Sequence, residues 1–226
     1  MRALLDRARR DDRGITLAEL LVAMALSLII VATAAGFLGA SQKAQGSVNR
    51  IDQNTRVSSN VLNEMSRMFR GATENPVVNA TSTPAFLVAT PTLVRFTAFV
   101  NLSSSETKPV MVQFQVTGGQ LVETQWPATA VPGSDGYWTF PSYPSGPSMR
   151  RILAPAVVSS DAAPFSYLPV DPDASPALDP VTDPGALDDI RYVAVNLEVG
   201  STTLGAYSNV LTATTIGLPN VIQENL

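Results

Sequence analysis

The hydrophobic and polar positions first separate a polar leader from a long apolar run. Residues 1–14 are rich in charge, whereas Leu20 to Gln42 form 23 consecutive residues without a charged side chain. At about 1.5 Å per residue this run makes roughly 35 Å of helix, which is enough to cross a bilayer. The run is also longer than the apolar core of a usual cleaved secretory signal. The pattern therefore predicts a retained membrane helix.

A helical repeat continues beyond the apolar run. Small and apolar residues recur there at alternating spacings of four and three, which predicts a helix with one face to bury. No proline precedes Pro76, and Gly71 offers a carboxy-terminal cap. The sequence thus predicts one helix from Thr16 to about Arg70, roughly 80 Å long, with a coiled coil as the alternative for its second half. The repeat consists of Ala44, Val48, Ile51, Thr55, Ser58, Leu62, Met65 and Phe69.

The rest of the chain is rich in β-formers and turn residues, which predicts strands. Gly118–Gly119 indicates a tight hairpin, and short turns imply antiparallel pairing. The predicted fold class is α+β, with a long amino-terminal helix, half in the membrane and half amphipathic, packed on an antiparallel β-sheet. The predicted strands are Ala85–Ala89, Leu93–Val100, Pro109–Thr117, Gln120–Gln125, Ile190–Val199 and Ser208–Ile216.

Composition gives no support to catalysis. The chain has no Cys and no His, so it has no disulfide or thiolate and lacks the commonest general base and metal ligand. It has no glycine-rich phosphate loop and no paired carboxylates at a clear helical spacing. We therefore expect neither an enzyme nor a bound cofactor.

Charge predicts the orientation and limits the partners. The leader carries five Arg and three Asp, and basic residues before a span keep that end in the cytoplasm, so the remainder should lie outside. From Lys43 onward there are 10 basic and 15 acidic residues, a net charge of −5. This negative charge disfavours nucleic acid as a partner. Arg150–Arg151, with Trp126 or Trp138 nearby in sequence, is the one local alternative.

Glu19 is a carboxylate at the start of a segment destined for lipid. An unpaired charge in the membrane costs several kcal/mol, so a functional partner is expected. Cleavage after Gly14 would create an amine on Ile15, four residues before Glu19 and near the same helical face. The amine and the carboxylate would pair within one chain or between neighbouring chains that are offset along the helix axis. A signal-anchor helix with an interfacial glutamate is the alternative.

The stretch GITLAELLVA, residues 14–23, resembles the signal of type IV prepilins and pseudopilins. The resemblance implies that a prepilin peptidase cleaves between Gly14 and Ile15 and methylates Ile15. It also implies that Glu19 contacts the amino terminus of an adjacent subunit. Ile15 departs mildly from the family, in which Phe is more usual at this position. The implied partners are the peptidase and other pilins or pseudopilins, which pack through their amino-terminal helices.

The resemblance also implies an organisation for the whole chain. Residues 1–14 are a cytoplasmic leader that is removed, 15–42 the transmembrane and assembly half of the helix, 43–71 its amphipathic half, and 72–226 an extracytoplasmic β-rich domain. The large globular part of the chain and its long loops favour a minor subunit of the J or W type. The expected location is the cytoplasmic membrane, then an extracellular or periplasmic filament, with pilus, type II secretion and DNA uptake left open. There are two alternatives: an adhesin or receptor displayed on a filament, and a signal-anchored exported protein unrelated to filaments.

Two loop regions are further candidates. An aromatic group at Tyr137, Trp138, Phe140 and Tyr143 is interpreted either as a recognition patch or as a strand packed on the core. Asp171, Asp173 and Ser175 have the oxygen spacing of a calcium loop. This second region lacks the later glycine and the bidentate glutamate of such a loop, which favours a solvated loop.

Overall fold

A computed structural model describes residues 16–100, 108–141, 146–147, 149–158, 163–169, 186–200 and 208–223. Its helices are α1 (Leu17–Arg70) and α2 (Pro219–Gln223), with a 3₁₀ turn at Leu187–Asp189. The chain divides into two compact units, Met1–Val48 and Asn49–Leu226.

The strands of the described residues belong to the second unit. In chain order they are β1 (Asn75–Val77), β2 (Ala80–Thr83), β3 (Phe86–Ala89), β4 (Leu93–Phe99), β5 (Pro109–Thr117), β6 (Gln120–Pro127), β7 (Thr129–Ala130), β8 (Trp138–Thr139), β9 (Met149–Ala154), β10 (Val157–Val158), β11 (Phe165–Leu168), β12 (Tyr192–Val199) and β13 (Val210–Gly217).

The carboxy-terminal end of α1 is fixed by a close backbone approach. The Phe99 N–H donates to the Gly71 carbonyl at 2.8 Å. A Cβ atom on Gly71 would lie 2.8 Å from the Phe99 carbonyl oxygen, so only glycine fits there without a shift. The helix therefore ends where the sequence predicts. Gly71, the residue that follows it, packs directly against the backbone of β4.

The larger sheet has five antiparallel strands in the order β3–β4–β5–β6–β9. β5 and β6 form the predicted hairpin, with Thr117 opposite Gln120. The two connecting glycines, Gly118 and Gly119, have φ values of 57° and 71°. Positive φ at both central residues matches a tight turn whose twist suits antiparallel strands. The prediction of this hairpin is confirmed.

The smaller sheet is built around β12. β13 pairs with β12 over eight residues in unbroken antiparallel register, while β10 and β11 share the opposite edge of β12. Two short antiparallel ribbons, β1–β2 and β7–β8, complete the described strands. The second unit is thus α+β with antiparallel sheets, as predicted, although its strands form two main sheets.

The core of the second unit lies between the last turns of α1 and both sheets. The Phe69 ring on α1 stacks on Phe96 with centroids 4.8 Å apart and meets Phe114 at 5.6 Å. Val193 and Val195 of β12 belong to the same buried cluster. The helix, the five-stranded sheet and the four-stranded sheet therefore share one core.

The predicted helical stripe is correct for its second half and wrong for its first. Ser58, Met65 and Phe69 are buried and Leu62 is half-buried, whereas Ala44, Val48, Ile51 and Thr55 are exposed. Val61 and Met68, which the strict alternation of four and three omits, are fully buried. The α-helix has 3.6 residues per turn, so the buried face drifts across a 3.5-residue repeat. In addition, α1 has fully buried residues only from Ser58 onward.

Candidate functional site

The start of α1 is closed by a reciprocal pair of side-chain contacts between Thr16 and Glu19. The Thr16 N–H donates to Glu19 Oε2 at 2.9 Å, and the Thr16 hydroxyl donates to the same oxygen at 3.1 Å. In return, the Thr16 hydroxyl oxygen accepts from the Glu19 N–H at 3.2 Å. This arrangement is a capping box, in which residues three apart satisfy the first free N–H groups of a helix.

The capping box explains how a carboxylate can lie in the first turn of an apolar helix. A negative charge in the first turn is stabilised by the helix dipole. It is also stabilised here by two hydrogen bonds from Thr16. Thr16 is not among the predicted site residues, although the sequence carries its signal: a threonine followed three residues later by a glutamate, directly before an apolar run.

The face of α1 beside Glu19 is apolar and open. Glu19 lies next to a shallow depression lined by Ala18, Val22, Ala23 and Leu26. The small Ala18 and Ala23 side chains leave room for close approach, which helices in lipid use to pack against one another. Within the described residues, α1 is the one helix long and apolar enough to span a membrane.

Gly14 and Ile15 lie outside the described residues, so the predicted cleavage point has no structural description. Glu19 itself is exposed. The structure therefore places the predicted assembly carboxylate at the amino-terminal end of the apolar helix. Its pairing with the Ile15 amine stays a prediction.

A second polar cluster, unforeseen from the sequence, joins α1 to the larger sheet. Glu123 on β6 is fully buried and accepts from Arg151 Nε at 2.7 Å and from Gln125 Nε2 at 2.6 Å. A guanidinium nitrogen of Arg151 also bonds Glu64 on α1. Glu64 in turn pairs with Arg67, at 2.6 Å between Oε1 and Nη2.

Burial opposes the charge of Arg151, but the hydrogen bonds and charges of Glu123 and Glu64 outweigh it and raise the pKa of the guanidinium. Arg151 therefore stays ionised and holds two carboxylates. The neighbouring residue on β9, Arg150, lies opposite Thr124 in the strand register. Since successive side chains of a strand alternate between faces, Arg150 lies on the other face of the sheet from Arg151. Arg150 lines a depression together with the buried Trp126. The local nucleic-acid site considered at Arg150–Arg151 stays an untested alternative.

The two candidate loop regions, for recognition and for calcium binding, lie only partly within the described residues. Tyr137, Trp138 and Phe140 are half-buried, and the Trp138 carbonyl accepts from the Asn75 side chain at 3.1 Å. Tyr143, Asp171, Asp173 and Ser175 lie outside the described residues. Among the residues that the structure describes, no group of three or more acidic side chains is placed to hold a metal ion. Recognition and calcium binding therefore stay untested.

The amino-terminal segment of the chain matches a known family motif. Residues 9–35 match the family model of the prokaryotic N-terminal methylation motif. This range includes Gly14, Ile15, Thr16 and Glu19, and it confirms the resemblance to type IV prepilins and pseudopilins. No curated protein matches the chain. The chain thus carries the amino-terminal motif of a pilin or pseudopilin precursor, joined to an α+β unit.

Proposed function

We propose that the protein is a minor pilin or pseudopilin, a structural subunit that a prepilin peptidase processes and that enters a filament of the type IV pilus or type II secretion kind. The observation that carries the proposal is the methylation motif at residues 9–35, which overlaps an exposed apolar helix that begins at Leu17 behind the Thr16–Glu19 capping box. Proteins with this motif are structural subunits. The chain also has no His or Cys for common catalytic chemistry.

In this proposal Glu19 changes partners during assembly. Before assembly its carboxylate accepts from Thr16 within the same chain, which lowers the cost of holding a charge near lipid. After cleavage between Gly14 and Ile15, the methylated amine of a neighbouring subunit supplies a cation. A charged partner forms a stronger hydrogen bond than a neutral one, so the exchange favours one axial offset between adjacent helices.

The assembly surface in this proposal is the lipid-facing part of α1. Its large apolar side chains are exposed in the single chain, as with Leu17 at 77% and Phe37 at 78%. Neighbouring helices would cover them in a filament, and lipid before that. The basic leader would stay in the cytoplasm and the Asn49–Leu226 unit would lie outside.

A minor position is proposed because of the size of the globular unit. Residues 72–226 contain two main sheets and long connections between strands. Bulky loops fit poorly in a closely packed shaft, and they fit better where fewer neighbours surround a subunit, as at a filament tip.

The first experiment measures the intact mass and the amino terminus of the chain extracted from membranes, with and without a co-expressed prepilin peptidase. We expect loss of residues 1–14 and one added methyl group on Ile15 only when the peptidase is present. Gly14→Val should block processing because it places a branched side chain at the cleavage point. Gly36→Ala is the matched control, since its Cβ would meet no atom within 4 Å beyond its chain neighbours and the backbone of its own helix. A full-length chain in the presence of active peptidase would overturn the proposal.

The second experiment asks whether Glu19 acts in assembly. Glu19→Ala should be processed and remain in the membrane but disappear from the sheared filament fraction, because the carboxylate that sets the axial offset is gone. Gly36→Ala again serves as the helix control and should assemble. Wild-type incorporation of Glu19→Ala would contradict the role of Glu19 and favour a signal-anchored protein unrelated to filaments.

A further inference from the structure

Among the described strands, β13 is an edge strand without the usual protection against pairing. Exposed edges are normally shortened, charged or interrupted by a bulge or proline. β13 has eight residues, VLTATTIG, with no charge and no proline, and its register with β12 has no bulge. In contrast, β3 has four residues and a register shift, and β9 carries Arg150 and Arg151 and also shifts register.

The hydrogen-bonding groups on the open side of β13 can be assigned from its neighbours. The Asn196 N–H donates to Pro164, on the β11 side of β12, and the Leu218 N–H donates to Arg191 at the start of β12. Since successive residues of a strand direct their backbone groups to opposite edges, Thr212, Thr214 and Ile216 bond to β12. Leu211, Ala213 and Thr215 therefore direct their N–H and C=O groups away from it. Among the described strands, only β12 pairs with β13.

The side chains at these outward positions leave the edge accessible. Leu211 is 64% exposed, and Ala213 and Thr215 are also exposed. Beside them the outer face of the sheet is a depression lined by small residues, including Ser166, Ala194 and Ala213. Ala213 and Thr215 are small, and none of the three positions carries a charge that would oppose an incoming strand.

We propose that the β13 edge pairs antiparallel with β13 of a second copy of this chain. The register follows from the outward groups: a two-fold axis at Ala213 places Ala213 opposite its own copy and Leu211 opposite Thr215. Every outward N–H and C=O of these three residues then meets a partner. Because the strand has no charge, self-pairing brings no like charges together, and small Ala213 side chains meet at the axis.

This contact does not use the amino-terminal motif. Processing and helix assembly can therefore fail while β13 pairing persists, and the reverse also holds. One strand pair is small for an interface, so we expect weak association that a shared membrane strengthens by raising the local concentration.

The absence of cysteine from the chain allows a direct test by disulfide trapping of the full chain in detergent micelles and in membranes. Ala213→Cys should form an oxidised dimer, since directly opposed residues have Cα atoms about 5.5 Å apart, within disulfide range. Ala194→Cys is the matched control on the same face, one strand inward. Ala194 lies opposite Thr215, so its two copies would be three strand spacings apart across the sheet and four residues apart along it, roughly 20 Å in all. They should give about tenfold less dimer.

The register is tested separately with two variants that cross-link only as a pair. Leu211→Cys mixed with Thr215→Cys should give dimers of one chain of each kind, and far fewer when either variant is alone. Adding Ala213→Lys to both should abolish these dimers, because two ammonium groups would meet at the axis. Monomers throughout, equal trapping at Ala194→Cys, or a cross-link from Ala213→Cys to a different protein in place of a second copy would each overturn the proposal.

Discussion

Arg151 is the residue that ties the helix to the sheet by charge. It bonds a fully buried carboxylate, Glu123, and a helix carboxylate, Glu64. An unpaired charge in an interior is strongly unfavourable, whereas an exposed ion pair contributes little. The contribution of Arg151 therefore depends on the burial of Glu123 more than on the number of its contacts.

Replacing Arg151 should be far more destabilising than replacing a surface arginine. Among the described residues, Arg151→Met leaves the buried Glu123 with Gln125 as its side-chain donor, and we expect a loss of about 3 kcal/mol in the free energy of unfolding. Arg56→Met is the control, since Arg56 and Asp52 form an exposed pair whose loss should stay within about 0.5 kcal/mol. Urea unfolding measures both. Equal effects would show that the Glu123 site rearranges freely.

Tyr167 should make stability fall at high pH. Burial raises its pKa far above the ordinary value, and its hydroxyl donates to the Thr90 carbonyl at 2.8 Å. The folded chain therefore keeps this proton where the unfolded chain loses it, so stability is full below about pH 10 and falls above it. Tyr167→Phe should remove up to about 1.4 kcal/mol per pH unit of this slope. Unfolding free energies from about pH 8 to pH 11 test this, and parallel profiles for both chains would contradict it.

At the scale of elements, α1 shows how one helix serves two environments. Its first half exposes apolar side chains all round. Its last turns bury one face of the helix, which is formed by Val61, Met65, Met68 and Phe69. A helix can do this because its backbone satisfies its own hydrogen bonds except at the ends. The amino-terminal end is therefore where a polar contact is needed, and the capping box provides it.

Removing the cap should loosen the first turn of α1 and leave its middle unchanged. Thr16→Ala loses the hydroxyl that bonds Glu19, at about 1 kcal/mol, so amide exchange at Glu19 and Leu20 should accelerate roughly fivefold. Thr33→Ala is the matched control, since the Thr33 hydroxyl bonds the Ile30 carbonyl within the helix. Exchange of the unprocessed chain in detergent, followed by NMR, measures both. Equal exchange at Glu19 and Leu20 in both variants would contradict a capping role for Thr16.

At the scale of the whole molecule, the stability of the Asn49–Leu226 unit depends on the last turns of α1. Phe69 is fully buried against Phe96 and Phe114. The buried cluster joins this helix segment to strands of both sheets. Unfolding of the two sheets and of these helical turns is therefore expected to occur together.

Truncating one phenylalanine in each half of α1 should separate the two roles. Phe69→Ala should destabilise the Asn49–Leu226 unit by about 3–5 kcal/mol, because a large cavity opens in the shared core. Phe37→Ala should leave that unfolding unchanged, since Phe37 is 78% exposed in the Met1–Val48 unit. Denaturant unfolding followed by fluorescence of the buried Trp126 compares them. A comparable loss for Phe37→Ala would contradict this division.

Local order in the sequence determined α1 and the six strands β3, β4, β5, β6, β12 and β13, whereas β1, β2 and β7 to β11 were not predicted. The uncharged run, the 3.6-residue repeat and Gly71 predicted α1 to within a residue at each end, and Gly118–Gly119 with its flanking alternation predicted the β5–β6 hairpin. The motif around Glu19 likewise depends on residues close together in the chain. Such features are readable because helix periodicity, turn chemistry and capping act over a few residues.

Only the tertiary structure decided which parts of those elements are buried and which polar groups meet. Glu64, Glu123 and Arg151 come from α1, β6 and β9, and no spacing in the sequence joins them. The division of the strands into two sheets, and the open edge of β13, also depend on pairing between distant segments. The physical reason is that burial and charge pairing depend on where the chain returns in space, whereas secondary structure is favoured by neighbours along it.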